Sequence, residues 1–134
     1  MLKTVCVYLA LALGAGALFN GLFMLLDPWR WYLSVPGVTT TGLFNQHFIR
    51  DIGLIFLLLG GAFTLGAVRE TYRVVLWSGV AVWLCGHALF HFWEVAVGIC
   101  SPPELARDFP AVTLPAILAC FLALWAWRAQ RRVT

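Results

Sequence analysis

A chain of 134 residues with 62% hydrophobic and 11% charged side chains departs from soluble domains, which run at about 45–50% apolar and about 25% charged. Nine Lys/Arg against six Asp/Glu leave a net charge of +3 and no basic face for phosphates, so nucleic acid is excluded as a partner. With a mean hydropathy of +0.88, a disordered chain and a disulfide scaffold are excluded too, and one domain over 1–134 is expected.

Four stretches free of Asp, Glu, Lys and Arg follow one another: Thr4–Leu26, Ile52–Val68, Val74–Trp93 and Phe109–Trp127. A bilayer core of about 30 Å needs roughly 20 helical residues at about 1.5 Å each. Period-two alternation is absent, so helices rather than barrel strands are expected. The fold class is thus all-α, a four-transmembrane-helix bundle with spans over about 4–26, 46–68, 73–98 and 110–128. The first span has a thin basic lead, Lys3, and Ala15-Gly16-Ala17 resembles a cleavage site. Its apolar run continues to Leu26, so a retained helix is expected instead of a signal peptide.

An N-terminus on the cytoplasmic side puts Lys3, Arg69, Arg73, Arg128, Arg131 and Arg132 inside and Arg30 and Arg107 outside. That asymmetry predicts both termini inside (N-in/C-in). Trp29, Trp31 and Tyr32 near one interface, and Trp125 and Trp127 near the other, suit aromatic belts. The long first outer loop, Asp27 to Phe44, carries Asp-Pro, Pro-Gly and three threonines, which are turn signals. It is expected to cover a site or lie as an anchored surface loop. The outer connection from Ser101 through Pro110 reads as a rigid turn. Cys6, Cys85, Cys100 and Cys120 form no C-x-x-C, and buried ones are expected to act as small hydrophobes.

The informative residues are those costly in lipid. Counted from the outer ends at about 1.5 Å per residue, Asn20, Arg50 and Asp51 lie about 7–9 Å deep. His47 lies about 3 Å deep, Glu94 about 6 Å, His91 about 10 Å and His87 about 16 Å. His87, His91 and Glu94, at i, i+4 and i+7, share one face of the third span, and His47 and Asp51 share one face of the second. Arg50 lines up with Gly53, Leu57 and Gly60, so it should face a close-packed neighbour. Asn20 continues the small row Ala12, Gly16, which is expected to let helices approach. The fourth span, with Thr113, Pro115 and Cys120 its mild exceptions, is expected to be an apolar wall. The inward faces of the first three spans should therefore converge on one polar layer.

An ionised side chain at a helix centre costs about 2.5–3.5 kcal/mol on insertion scales, so Arg50, Asp51 and Glu94 need pairing, protonation or a bound ion. A structural network that fixes helix register meets that need. So does a metal centre of His47, Asp51, His87, His91 and Glu94, with Arg50, Asn20 and Asn45 supporting the ligands. Imidazole and carboxylate suit Zn, Cu or Fe alike. Haem b held by histidines of two helices is a variant, with Gly53 or Gly86 admitting the ring and Arg50 meeting a propionate. A proton or substrate relay is the fourth reading, set against a wholly apolar inner half.

The run Asp27-Pro28, Trp31-Tyr32, Val35-Pro36-Gly37-Val38, Thr41-Gly42, Phe44-Asn45, His47-Phe48, Arg50-Asp51-Ile52-Gly53, then His87-Ala88-Leu89, His91 and Trp93-Glu94 resembles an uncharacterised family of small bacterial four-helix integral membrane proteins. The resemblance implies a bacterial cytoplasmic (inner) membrane location and brings no activity with it. The sequence expectation is a metal-binding or redox site open to the outer face and covered by the first loop. The rival is a non-catalytic accessory or structural subunit whose polar layer fixes packing. The bilayer is the expected partner, with a homo-oligomer or a larger membrane complex left open.

Overall fold

The computed structural model describes residues 1–132, so the last two of the expected 1–134 domain lie outside the described residues. The chain is all-α: α1 (Leu2–Leu26), α2 (Pro28–Ser34), α3 (Val38–Thr41), α4 (Gln46–Val68), α5 (Glu70–Ala96), α6 (Pro102–Asp108) and α7 (Thr113–Gln130). Four of them, α1, α4, α5 and α7, are long and apolar enough to cross a membrane. Only 22–33% of the most apolar stretch of each is buried. The remaining surface shows Phe19, Leu54, Leu58, Val75, Val82, Leu89 and Ile117 to the surroundings, a continuous apolar mantle of the kind that lipid covers.

The helices pack in the cyclic order α1, α4, α5, α7, with α1 and α7 touching lightly. The α1–α4 pair is held by four glycines rather than by large side chains. A Cβ on Gly21 would lie 2.7 Å from the Gly53 carbonyl, and one on Gly60 would lie 2.8 Å from the Gly14 carbonyl. Gly14 and Gly21 are seven residues apart, as are Gly53 and Gly60, so each pair recurs on one face after two turns. Antiparallel pairing then sets Gly14 against Gly60 and Gly21 against Gly53. The expected row Ala12, Gly16 does not serve this purpose. Both are exposed, and a Cβ on Gly16 would meet nothing within 4 Å. The seven-residue spacing, not the four-residue one, faces the neighbour.

The α4–α5 turn is a single residue, Arg69. Directly after it, Arg73 is buried and donates from Nε to the Gly66 carbonyl at 2.8 Å and from Nη2 to that of Ala67 at 3.0 Å. Trp77, fully buried, donates to the Phe63 carbonyl at 3.1 Å and fills the space that the missing side chain of Gly66 leaves. The guanidinium of Arg73 stands 5.3 Å from the Trp77 ring and 5.7 Å from that of Trp125 on α7. Small residues complete the α5–α7 contact: Ala81 and Ala88 pack against Ala116, Ala119 and Leu122.

Both outer connections hold more structure than turn signals alone imply. In the first, Asp27 ends α1 and caps α2 by accepting from the Arg30 N–H at 3.1 Å, with Pro28 opening the helix. This is the favoured arrangement for a helix start. In the second, the stretch expected as a rigid turn forms α6, also opened by proline.

Replacing Gly60 with Leu should lower the thermal midpoint of the detergent-purified protein by the equivalent of about 1–3 kcal/mol, the usual cost of overpacking. Gly16→Leu should leave the midpoint nearly unchanged. Equal effects of the two would refute the assigned helix face.

Candidate functional site

The polar residues of the outer half do not meet in one layer. They divide between the α1–α4 pair and the α5–α6 corner. On the first pair, Arg50 donates from Nε to the Leu25 carbonyl at 3.1 Å. That carbonyl belongs to the last turn of α1, where no helical partner exists and a cation is favoured. Arg50 therefore does face the close-packed neighbour that its alignment with Gly53 predicts. Asn20 accepts from the Trp31 indole N–H at 2.9 Å and points its amide at Met24 Sδ, 3.7 Å away. It ties α2 down onto α1. Asn45 is the N-cap of α4, its side chain accepting from the Phe48 N–H at 3.1 Å. His47 Nε2 lies 3.3 Å from Asp51 Oδ2, with the two side chains 90% and 54% exposed.

The second group forms a chain. Trp83 stacks on His87 with centroids 5.2 Å apart, and His87 meets the edge of His91 at 4.8 Å. His91 Nδ1 lies 3.4 Å from Asp108 Oδ2, the two side chains being 25% and 16% exposed. Asp108 accepts a two-pronged contact from Arg107, Nε to Oδ1 at 2.6 Å and Nη2 to Oδ2 at 3.0 Å. The Arg107 guanidinium occupies the space beside Gly37, whose φ of +88° and lack of a side chain both suit the position. This is the point at which the first outer loop meets the chain. Besides this contact and the Trp31–Asn20 bond, the loop is held by its own contacts: Trp29, Tyr32 and Phe44 cluster with centroids 4.9–6.1 Å apart, and Tyr32 donates to the Gly42 carbonyl at 2.8 Å.

Asp108 and Arg107 are therefore site residues that sequence reasoning passed over. They sit in the connection expected as a turn, and only the amphipathic run Glu104–Asp108 signals them. Glu94 stays half-buried near the end of α5, where its carbonyl accepts from the N–H groups of Ile99 and Cys100 at 2.9 and 3.2 Å. Its carboxylate has no ion-pair partner among the described residues. The five expected ligands are thus not gathered: His47 and Asp51 form an exposed pair on α4, apart from His87 and His91. Among the described residues no group of three or more His, Cys, Asp or Glu is placed to hold a metal ion.

Arg107 also sets the electrostatics. Its hydrogen bonds hold the Asp108 carboxyl below the usual value of 3.8, against the opposing effect of burial. Cys100, the thiol expected at the outer face, stands beside Glu104, whose carboxylate pushes the thiol up to about 11 and keeps it an unreactive S–H at neutral pH.

The cysteines hold a further surprise. Cys85 of α5 and Cys120 of α7, expected to act as small hydrophobes, have their sulfurs 3.1 Å apart, both unoxidised.

No protein-family model, curated protein or solved structure matches the chain.

Two outcomes test this geometry. Because Asp108 has a lowered pKa in the folded chain, its fork with Arg107 stabilises fully above the unfolded value and fades as pH falls through the folded one. As pH falls below about 4, thermal midpoints should drop more steeply for the natural protein than for Asp108→Asn. Matching slopes would remove the fork from the account. Separately, a membrane-permeant oxidant should join Cys85 to Cys120, read by mass spectrometry as the loss of two hydrogens. Cys85→Ser should abolish the link and Cys6→Ser should not. Two sulfurs already in contact stand close to the 2.03–2.05 Å of a disulfide bond.

Proposed function

We propose that this chain is a non-catalytic, multi-pass subunit of the bacterial cytoplasmic membrane, with both termini inside, whose polar groups fix helix and loop packing. The observation that carries the reading is that four of these cations and histidines are engaged locally: Arg50 by a carbonyl, Arg107 and His91 by Asp108, and His47 by Asp51. Polar contacts of this kind can specify a unique arrangement without any chemistry.

Orientation rests on the charges. The end formed by the start of α1, the α4–α5 turn and the end of α7 holds six Lys/Arg and one carboxylate, Glu70, while the other end holds three arginines and five carboxylates. The cation-rich end belongs in the cytoplasm by the positive-inside rule. A subunit of this size, with an apolar mantle on all four long helices, has ample surface for a second copy or for a larger membrane complex.

A second reading keeps the metal or redox centre and moves it. His87, His91 and Asp108 stand in series at 4.8 and 3.4 Å, and modest rotation would turn them toward a single Zn, Cu or Fe ion. His47, Asp51 and Glu94 have no part in it.

Elemental analysis of the purified protein separates the two. We expect well under one metal ion per chain, unchanged by the double substitution His87→Ala, His91→Ala, together with a lowered thermal midpoint for Asp108→Asn. Near-stoichiometric metal that the double variant loses would replace the structural reading with the metal centre.

A further inference from the structure

At the cation-rich end, Leu2 of α1 and one face of α7 enclose a groove of about 200 Å³. Its α7 wall is Phe121, Leu124, Trp125 and Arg128, with Arg132 in the turn just past the end of the helix. Spaced at 3, 4 and 7 from Phe121, the α7 residues form one helical stripe that leads to Arg132. The stripe is graded. Phe121 lies about 10 Å deeper along the axis than Arg128, so the wall runs from apolar in the bilayer to basic at its surface.

The two guanidiniums lack a carboxylate among the described residues. Glu70, the one acid at this end, is paired with Lys3 and stands 3.8 Å from Arg73. Arg131 is turned away, its guanidinium 4.0 Å from the centre of the Trp127 ring. Two unpaired cations above an apolar slot are complementary to a molecule with one anion and a hydrocarbon tail. A phosphodiester fits both: guanidinium forks match phosphate oxygens, and an acyl chain matches Phe121 and Leu124.

We propose that this groove seats one anionic glycerophospholipid, its phosphate between Arg128 and Arg132 and an acyl chain along Phe121 and Leu124. Basic clefts between helices at the cytoplasmic surface recognise headgroups in this way. A zwitterionic lipid carries the same phosphate, but its ammonium adds a third positive charge beside the two arginines, so the seat discriminates on headgroup charge. The proposal is independent of what the outer end does.

The test uses the full chain in a non-ionic detergent with equimolar phosphatidylglycerol and phosphatidylcholine, read by native mass spectrometry. The natural protein should retain one phosphatidylglycerol in about tenfold preference, the ratio that roughly 1.4 kcal/mol of charge-assisted bonding supplies. Arg128→Gln with Arg132→Gln should erase the preference, while Arg30→Gln at the opposite end should keep it. Leu2→Trp, which fills the groove and leaves both arginines, should reduce lipid retention, and it serves as the test should the double variant not fold. Equal retention of both lipids by the natural protein would overturn the proposal. So would an unaltered preference in the double variant, full retention in Leu2→Trp, or displacement of the lipid by inorganic phosphate alone.

Discussion

The approach of α1 to α4 through four glycines governs the rest of the structure. In a bilayer there is no hydrophobic gain in bringing two apolar helices together, so close packing has to supply the attraction. Gly14 against Gly60 and Gly21 against Gly53 let backbone meet backbone along two turns. The geometry that follows is strict. It sets the register of α4 on α1, and through that register puts Arg50 beside the last carbonyls of α1. It also places Asn20 where the indole of Trp31 reaches it, which is why the first outer loop folds back on the bundle.

Two of the long helices are finished by an arginine of a later one. Arg50 of α4 takes a terminal carbonyl of α1, and Arg73 of α5 takes two terminal carbonyls of α4. Orphan carbonyls at helix C-termini carry partial negative charge and need donors. A guanidinium offers several from one side chain and keeps its charge under all conditions. These two arginines complete the backbone hydrogen bonding of the neighbouring helix.

How far the sequence discloses this varies with the physics involved. The four long helices and their bounds are legible because charge-free runs and bilayer thickness act locally: the expected spans 46–68 and 4–26 agree with α4 and α1 to within a few residues, while the short α2, α3 and α6 are not foreseen. Arg50 is legible because its helical alignment with Gly53 and Gly60 is a matter of period. The shared polar layer is not, because equal depth says nothing about azimuth. Asp51 and His91 reach similar levels while meeting different partners, His47 and Asp108. The pairing of Cys85 with Cys120 and the fork of Arg107 on Asp108 depend on which helix lies beside which, and no spacing within one segment encodes that.

The one-residue turn between α4 and α5 makes Arg73 hard to replace. With Arg69 alone between the two helices, no loop residue is left to meet the last carbonyls of α4, and Arg73 answers them from within the same hairpin. Lysine in its place would keep the positive charge and lose the planar fork that reaches two acceptors at once.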